Sequence, residues 1–240
     1  MFLSITASNL FDASQGLGIN QATAFTFFVG TMAMMAASAF FFFEIRNVGE
    51  KWRTSILVSG LITFIAAVHY YYMRDYFIQT GTSPTFFRYV DWLLTVPLMC
   101  VEFYLITKKA GATTSLLWKL ILASVVMLVT GFFGEATDRD NSVLWGVISG
   151  AAYFYIAYLV WFGEVATLSQ SAGPSVAKAT RILAWFVLVG WAIYPLGYII
   201  GTPGGLFGAF GSEANNPWMD VVYNIGDAVN KIGFGLVIYT

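Results

Sequence analysis

Seven stretches of roughly twenty apolar residues follow one another along this chain, and each is long enough to cross a hydrocarbon layer about 30 Å thick as a helix. Inside such a layer only helices and closed barrels satisfy every backbone N–H and C=O, so apolar runs of this length leave little choice of structure. The stretches run from about Gln21 to Phe43, Thr54 to Met73, Phe86 to Ile106, Leu116 to Phe133, Ser142 to Phe162, Ile182 to Ile200, and Trp218 to Thr240. The first carries no charge at all. Connections are short, which predicts antiparallel neighbours in one bundle and a single domain over residues 1–240. Only 10% of residues are charged and 58% are hydrophobic. A soluble domain carries about 25% charged residues, so most of this surface is expected to face lipid. The fold class read here is an all-α, seven-helix membrane protein.

The few charges are distributed unevenly. Arg46, Lys51, Arg53, Lys108, Lys109, Lys119, Lys178 and Arg181 fall at one set of helix ends. The other set holds Arg74 and Arg139 among Asp75, Glu135, Asp138, Asp140, Glu213 and Asp220. Lysine and arginine mark the cytoplasmic side, so the N-terminus is expected outside and the C-terminus inside. Met1 to Ala7 lack a basic region and a full apolar core, so no signal peptide is expected. No basic cluster suggests nucleic acid, and the lone Cys100 permits no internal disulfide. The glycine-rich stretch Gly201 to Gly211 lacks a phosphate-loop pattern and reads as a plain loop.

Five ionisable residues lie deep within these spans: Arg88, Asp91 and Glu102 on the third, Asp227 and Lys231 on the seventh. His69 on the second makes a sixth. A charge at a helix centre costs about 2.5–3.5 kcal/mol on insertion scales, so such residues are functional candidates by default. The plainer alternative is that they pair and merely hold helices together. Spacing argues for more. Asp91 and Glu102 are eleven residues apart, which at 100° per residue returns to within roughly 20° of the same face and separates them by about 16 Å. Arg88 and Thr95 extend that stripe, so a file of protonatable groups crosses much of the bilayer.

Asp227 and Lys231 stand one turn apart. Burial disfavours a charged lysine, and a buried amine is a suitable nucleophile for an aldehyde, forming a Schiff base. Asp227 by sequence, and Asp91 by packing, would hold that group protonated, with Arg88 balancing the excess negative charge. Trp92 on the third span and Trp191, Tyr194 and Tyr198 on the sixth supply aromatics, the last three on one face. Taken alone such a stripe is ordinary packing; beside a midplane lysine it also suits a slot for a long conjugated ligand. Pro97 and Pro195 are expected to kink their helices.

These residues carry a family resemblance. Arg88-Tyr-Val-Asp-Trp-Leu-Leu-Thr-Val-Pro97, Trp191-Ala-Ile-Tyr-Pro-Leu-Gly-Tyr198 and Tyr223-Asn-Ile-Gly-Asp-Ala-Val-Asn-Lys231 resemble the third, sixth and seventh helices of microbial rhodopsins, specifically the proteorhodopsins. The likeness extends over essentially the whole chain. It implies all-trans retinal on Lys231 as a protonated Schiff base, within a pocket that includes Trp92, Met99, Trp191, Tyr194, Pro195, Tyr198 and Tyr223. Asp91, Thr95 and Glu102 match the triplet of outward proton pumps. Asp91 is then the proton acceptor, Asp227 the second counterion and Glu102 the donor. His69 matches the histidine paired with the acceptor in this branch; read without the family, it is more simply a satisfied core residue. Met99 occupies the spectral-tuning position, where a residue other than Gln resembles green-absorbing members.

The resemblance therefore implies a light-driven outward proton pump, not an enzyme, without a metal, multi-pass in a bacterial inner membrane. Its partners are protons, the lipid bilayer and, by family habit, copies of itself in a pentamer or hexamer. The alternatives are a photosensor that signals to a partner, and a non-photochemical transporter in which Lys231 is only ion-paired. Two departures stand out: a longer connection before the last helix, and Phe28 where some members place a tryptophan against a neighbouring protomer.

Overall fold

The computed structural model describes residues 18–201 and 217–240, all helix and short connection. The helices are α1 (Ile19–Glu44), α2 (Arg53–Thr80), α3 (Thr85–Thr107), α4 (Thr114–Phe132), α5 (Ser142–Trp161), α6 (Glu164–Ser171), α7 (Pro174–Trp185), α8 (Ile193–Gly201) and α9 (Pro217–Tyr239). Seven membrane-length apolar spans result, with α5 continued by α6, and α7 and α8 forming the sixth span together. The long connection expected from Gly201 to Gly211 lies, after Gly201, outside the described residues.

Several helices outrun their apolar stretches. The second continues through Arg74 and Asp75 to Thr80, and the sixth begins at Pro174, eight residues before Ile182. Hydropathy marks where lipid ends, whereas the backbone stays helical until a residue stops it. Gly81 stops α2 at a φ of 68° and donates its N–H to Phe77 O at 2.8 Å. Gly173, at a φ of 110°, precedes Pro174 at the first turn of α7. Lys119, in the second turn of α4, is ion-paired with Glu164 of α6.

The bundle is apolar outside as well as in. Phe25, Phe28, Met32 and Met35 of α1 are exposed, as befits a lipid-facing surface. Where helices meet, small and hydroxyl residues let backbones approach: Ser38 of α1 donates to Gly60 O of α2 at 3.2 Å. Among the described residues, six acidic or basic side chains are buried to 2% exposure or less: Arg88, Asp91, Glu102, Asp220, Asp227 and Lys231. The interior is thus more charged than the sequence suggests, because Asp220 joins it.

The sixth span departs from the expected proline kink. A π-turn over Phe186–Gly190 precedes Pro195, with Trp191 N bonding back to Phe186 O at 2.9 Å. Pro195 has no N–H to offer Trp191 O, which instead accepts from Tyr194 N at 3.1 Å. Asn230 of α9 donates to Gly190 O at 2.9 Å, and a Cβ on Gly190 would collide with that amide. The disturbance is therefore spread over residues 186–195 and tied to α9. By contrast α3 continues as helix through Pro97.

Candidate functional site: a buried amine between two carboxylates

Packing of α3 against α9 brings together residues 140 positions apart. Lys231 Nζ donates to Asp91 Oδ2 at 2.5 Å and to Asp227 Oδ2 at 2.6 Å. Asp227 Oδ1 in turn accepts from Tyr194 OH at 2.9 Å. A lone buried amine cannot stay charged without partners; here two carboxylates supply them. Asp91 keeps one oxygen, Oδ1, without a hydrogen-bond partner, 3.8 Å from His69 Nδ1 of α2. That distance is too long for a direct bond. His69 Nδ1 instead lies 2.9 Å from Ile65 O, a contact within its own helix. Thr95, fully buried, donates to Asp91 O at 2.8 Å, which anchors its hydroxyl to the backbone rather than to either carboxylate.

Arg88 does not balance the charge of Asp91 and Asp227, as its place on the stripe suggests. Its Nη2 donates to Asp220 Oδ1 at 2.8 Å and to Asn224 Oδ1 at 2.9 Å, while its Cζ lies 5.2 Å from the ring centroids of both Phe27 and Tyr223. The cause is a carboxylate two turns before Asp227: seven residues at 100° return Asp220 to the same face of α9. Asp220, Asn224, Asp227 and Lys231 thus form one polar stripe. That spacing was present in the sequence, but Asp220 lies near the helix start and read as a surface acid.

Glu102 lies on the same helix as Asp91, toward the basic end of the bundle, and keeps different company. Ser59 of α2 donates to its Oε1 at 3.1 Å, the Ser55 hydroxyl of α2 also serves this carboxyl, and Oε2 has no hydrogen-bond partner among the described residues. No salt bridge reaches it among the described residues. Ser59 has no motif of its own; only packing reveals it.

A cavity of about 590 Å³ opens beside the lysine cluster, among α3, α4, α5, the sixth span and α9. Trp92, Trp191, Tyr194, Pro195, Tyr198 and Tyr223 all line it. Trp92 packs 4.7 Å from Tyr194 and 5.7 Å from Tyr223, and Tyr194 touches both the cavity and Asp227. Tyr194 is thus the link between the cavity and the ion cluster, whose three charged residues do not themselves line the cavity. Tyr198 sits at the far side, donating to Ser142 O of α5 at 2.6 Å, in space that a side chain on Gly146 would invade at 2.9 Å. Met99 is buried in the core but lies off the cavity wall. Glu135 also lines the cavity, accepting from Tyr89 OH at 2.7 Å.

Residues 21–240 match the family model described as bacteriorhodopsin-like protein. Among curated proteins, the green-light absorbing proteorhodopsin of Gamma-proteobacterium EBAC31A08 is 44% identical, covering 98% of this chain and 93% of its own. The blue-light absorbing proteorhodopsin of Gamma-proteobacterium Hot 75m4 is 46% identical over 95% of this chain and 88% of its own. Among solved structures, xanthorhodopsin, described as a light-driven ion pump with dual chromophore, superposes with a TM-score of 0.79 at 28% identity, covering 92% of both chains. With its family model, its seven spans and its buried lysine cluster in agreement, this chain belongs to the bacteriorhodopsin-like family of microbial rhodopsins.

Proposed function

We propose that this chain is a light-driven outward proton pump that carries all-trans retinal as an imine on Lys231. The observation that carries the reading is the lysine amine held 2.5 Å from Asp91 and 2.6 Å from Asp227, joined through Tyr194 to an aromatic cavity. The residues fit the group: the cavity falls within the range of about 300–1,000 Å³ usual for small-molecule pockets. Its walls are rings and aliphatic groups suited to a polyene. Two relatives are named as light-absorbing proteorhodopsins, and a structural neighbour is described as a light-driven ion pump.

When bound, retinal supplies light absorption and an isomerisation that re-aims the proton on the lysine nitrogen. The remaining steps belong to the chain. Asp91 accepts that proton, with its unpartnered Oδ1 and nearby His69 available to share the new charge state. Asp227 is held by Tyr194 OH and acts as the standing counterion. Glu102, without a cation beside it, keeps its own proton in the dark and returns one to the lysine nitrogen from the other side. Asp91 and Glu102 lie about 16 Å apart along α3, Asp91 at the lysine amine and Glu102 toward the basic end of the bundle.

Direction follows from the basic residues at the Glu102 end, which the positive-inside rule assigns to the cytoplasm. The acceptor is then outside, the donor inside, and the N-terminus outside. A bacterial plasma membrane and a pentameric or hexameric assembly are the setting the resemblance supports. Each proton moved works against about 2.3 kcal/mol per 100 mV. The test is light-driven pH change in oriented vesicles reconstituted with retinal: acidification on the outer side, collapsed by a protonophore. A coloured protein that leaves pH unchanged under light would sink the pump and leave a photosensor.

A further inference from the structure

We infer that Asp220 is a positioning residue that withholds Arg88 from the Asp91–Asp227 pair and so sets the pH at which Asp91 can take up a proton. The inference rests on the reading of Lys231 as the chromophore-bearing residue. Three observations carry it. First, Arg88 is anchored away from Asp91: Asp220 Oδ1 accepts from Arg88 Nη2 and from Ser83 Oγ, each at 2.8 Å, and Asn224, fixed by Thr26 at 2.9 Å, accepts from the same Nη2. Second, donors and acceptor that could pair are left apart. Among the described residues Arg88 Nε and Nη1 are buried without hydrogen-bond partners, and so is Asp91 Oδ1, on the same helix one turn away. Third, the charges do not balance within the cluster. Lys231 against Asp91 and Asp227 leaves one net negative charge, while Arg88 and Asp220 cancel each other.

Buried arginine is costly to leave unpaired, so it goes where a carboxylate waits. Asp220 offers that place; without it the carboxylates left are Glu135, which already senses Arg88, and the Asp91–Asp227 pair, which begins one turn along α3 and carries the excess negative charge. The two unpartnered nitrogens then have an acceptor, and the cluster gains the positive charge it lacks. Proton uptake by Asp91 becomes harder as a result, because a cation favours its ionised form.

Other charged and titratable groups surround this region. Facing Asp91 are Lys231 and Asp227 on α9 and His69 on α2. Near Arg88 are Asp220 and Tyr223 on α9 and Tyr70 on α2. Tyr70 and Tyr194 sense Asp91 as well, and Glu135 after α4 senses Arg88, Arg139 and Asp220. His69 stays in every variant below.

The experiment is a double-mutant cycle on the retinal-loaded protein, reading the midpoint of the acid-induced colour change. Asp220→Asn should lower that midpoint by about one pH unit or more. In an Arg88→Gln background the same substitution should move it by less than about 0.3 unit, because the arginine through which it acts is gone. Equal shifts in both backgrounds mean that Asp220 acts only through its field, and no shift in either means that it does not act; both overturn the inference. Where Asp220→Asn fails to fold, nuclear magnetic resonance on the unsubstituted protein decides: a close contact between Arg88 side-chain nitrogen and the Asp220 carboxyl carbon supports the latch, and its absence overturns it. Failure of the unsubstituted protein to form any pigment overturns the reading of Lys231 instead, while the nitrogen–carbon contact remains measurable without colour.

Discussion

Asp91 and Glu102 are carboxyl groups on one helix, each fully buried, and they are supported in opposite ways. Asp91 belongs to a charge cluster, with Lys231 on one oxygen and His69 near the other. Glu102 has serine hydroxyls of α2, Ser59 and Ser55, and no cation among the described residues. A low-dielectric interior admits an acid in only two forms: ionised beside a partner, or neutral and alone. Under the proposed function, these two neighbourhoods on one face of α3 suit Asp91 to receive a proton and Glu102 to supply one, and the contrast lies in their partners rather than in their burial.

Breaking the cluster should have the largest effect. Lys231→Ala removes the amine that both Asp91 and Asp227 accept from, and visible absorbance after adding retinal should vanish. A coloured alanine variant would break the comparison at its root. Next, Asp91→Asn keeps the shape but removes the accepting charge. Outward acidification by vesicles should cease, and the absorption band should move to the red; retained pumping would mean that another group accepts the proton. Glu102→Gln tests the isolated side. Loss of a positioned proton donor should slow thermal recovery after a flash by roughly a hundredfold while leaving the colour in place. A small weak acid added to the buffer should restore the rate; unchanged recovery in the variant would remove Glu102 from the path. The smallest expected effect is that of Ser59→Ala. It deletes one neutral hydrogen bond, worth about 0.5–1.5 kcal/mol, and should change the recovery rate roughly two- to tenfold. An effect as large as that of Glu102→Gln would show that the serine carries the proton itself.

The same contrast explains what could be read in advance. Asp91 and Glu102 were legible as one stripe, and Asp227 and Lys231 as one turn, because helical periodicity relates residues of the same helix. Arg88 was legible as a buried cation, but its partner was not. Its position one turn from Asp91 suggested compensation there, and the actual carboxylate, Asp220, looked like a surface residue at a helix start. Ser59 gave no signal, since a serine in an apolar run is more often a place for close helix packing. Met99 stands for the converse: its placement followed from resemblance alone, and the side chain lies in the core away from the cavity wall.

Sequence alone determined that the backbone would be helical seven times over, since a chain in hydrocarbon must satisfy its polar groups within each span. It also determined which charges share a face on α3 and on α9. Only the tertiary structure decided which faces meet: that Lys231 reaches Asp91, that Arg88 reaches Asp220, that Tyr194 reaches Asp227, and that a cavity remains beside them. The reason is physical. Lipid exerts no hydrophobic force between helices, so their rotation and register are fixed by van der Waals fit and by hydrogen bonds across the contact. Those depend on the surfaces of two helices at once, and no single stretch of sequence contains both.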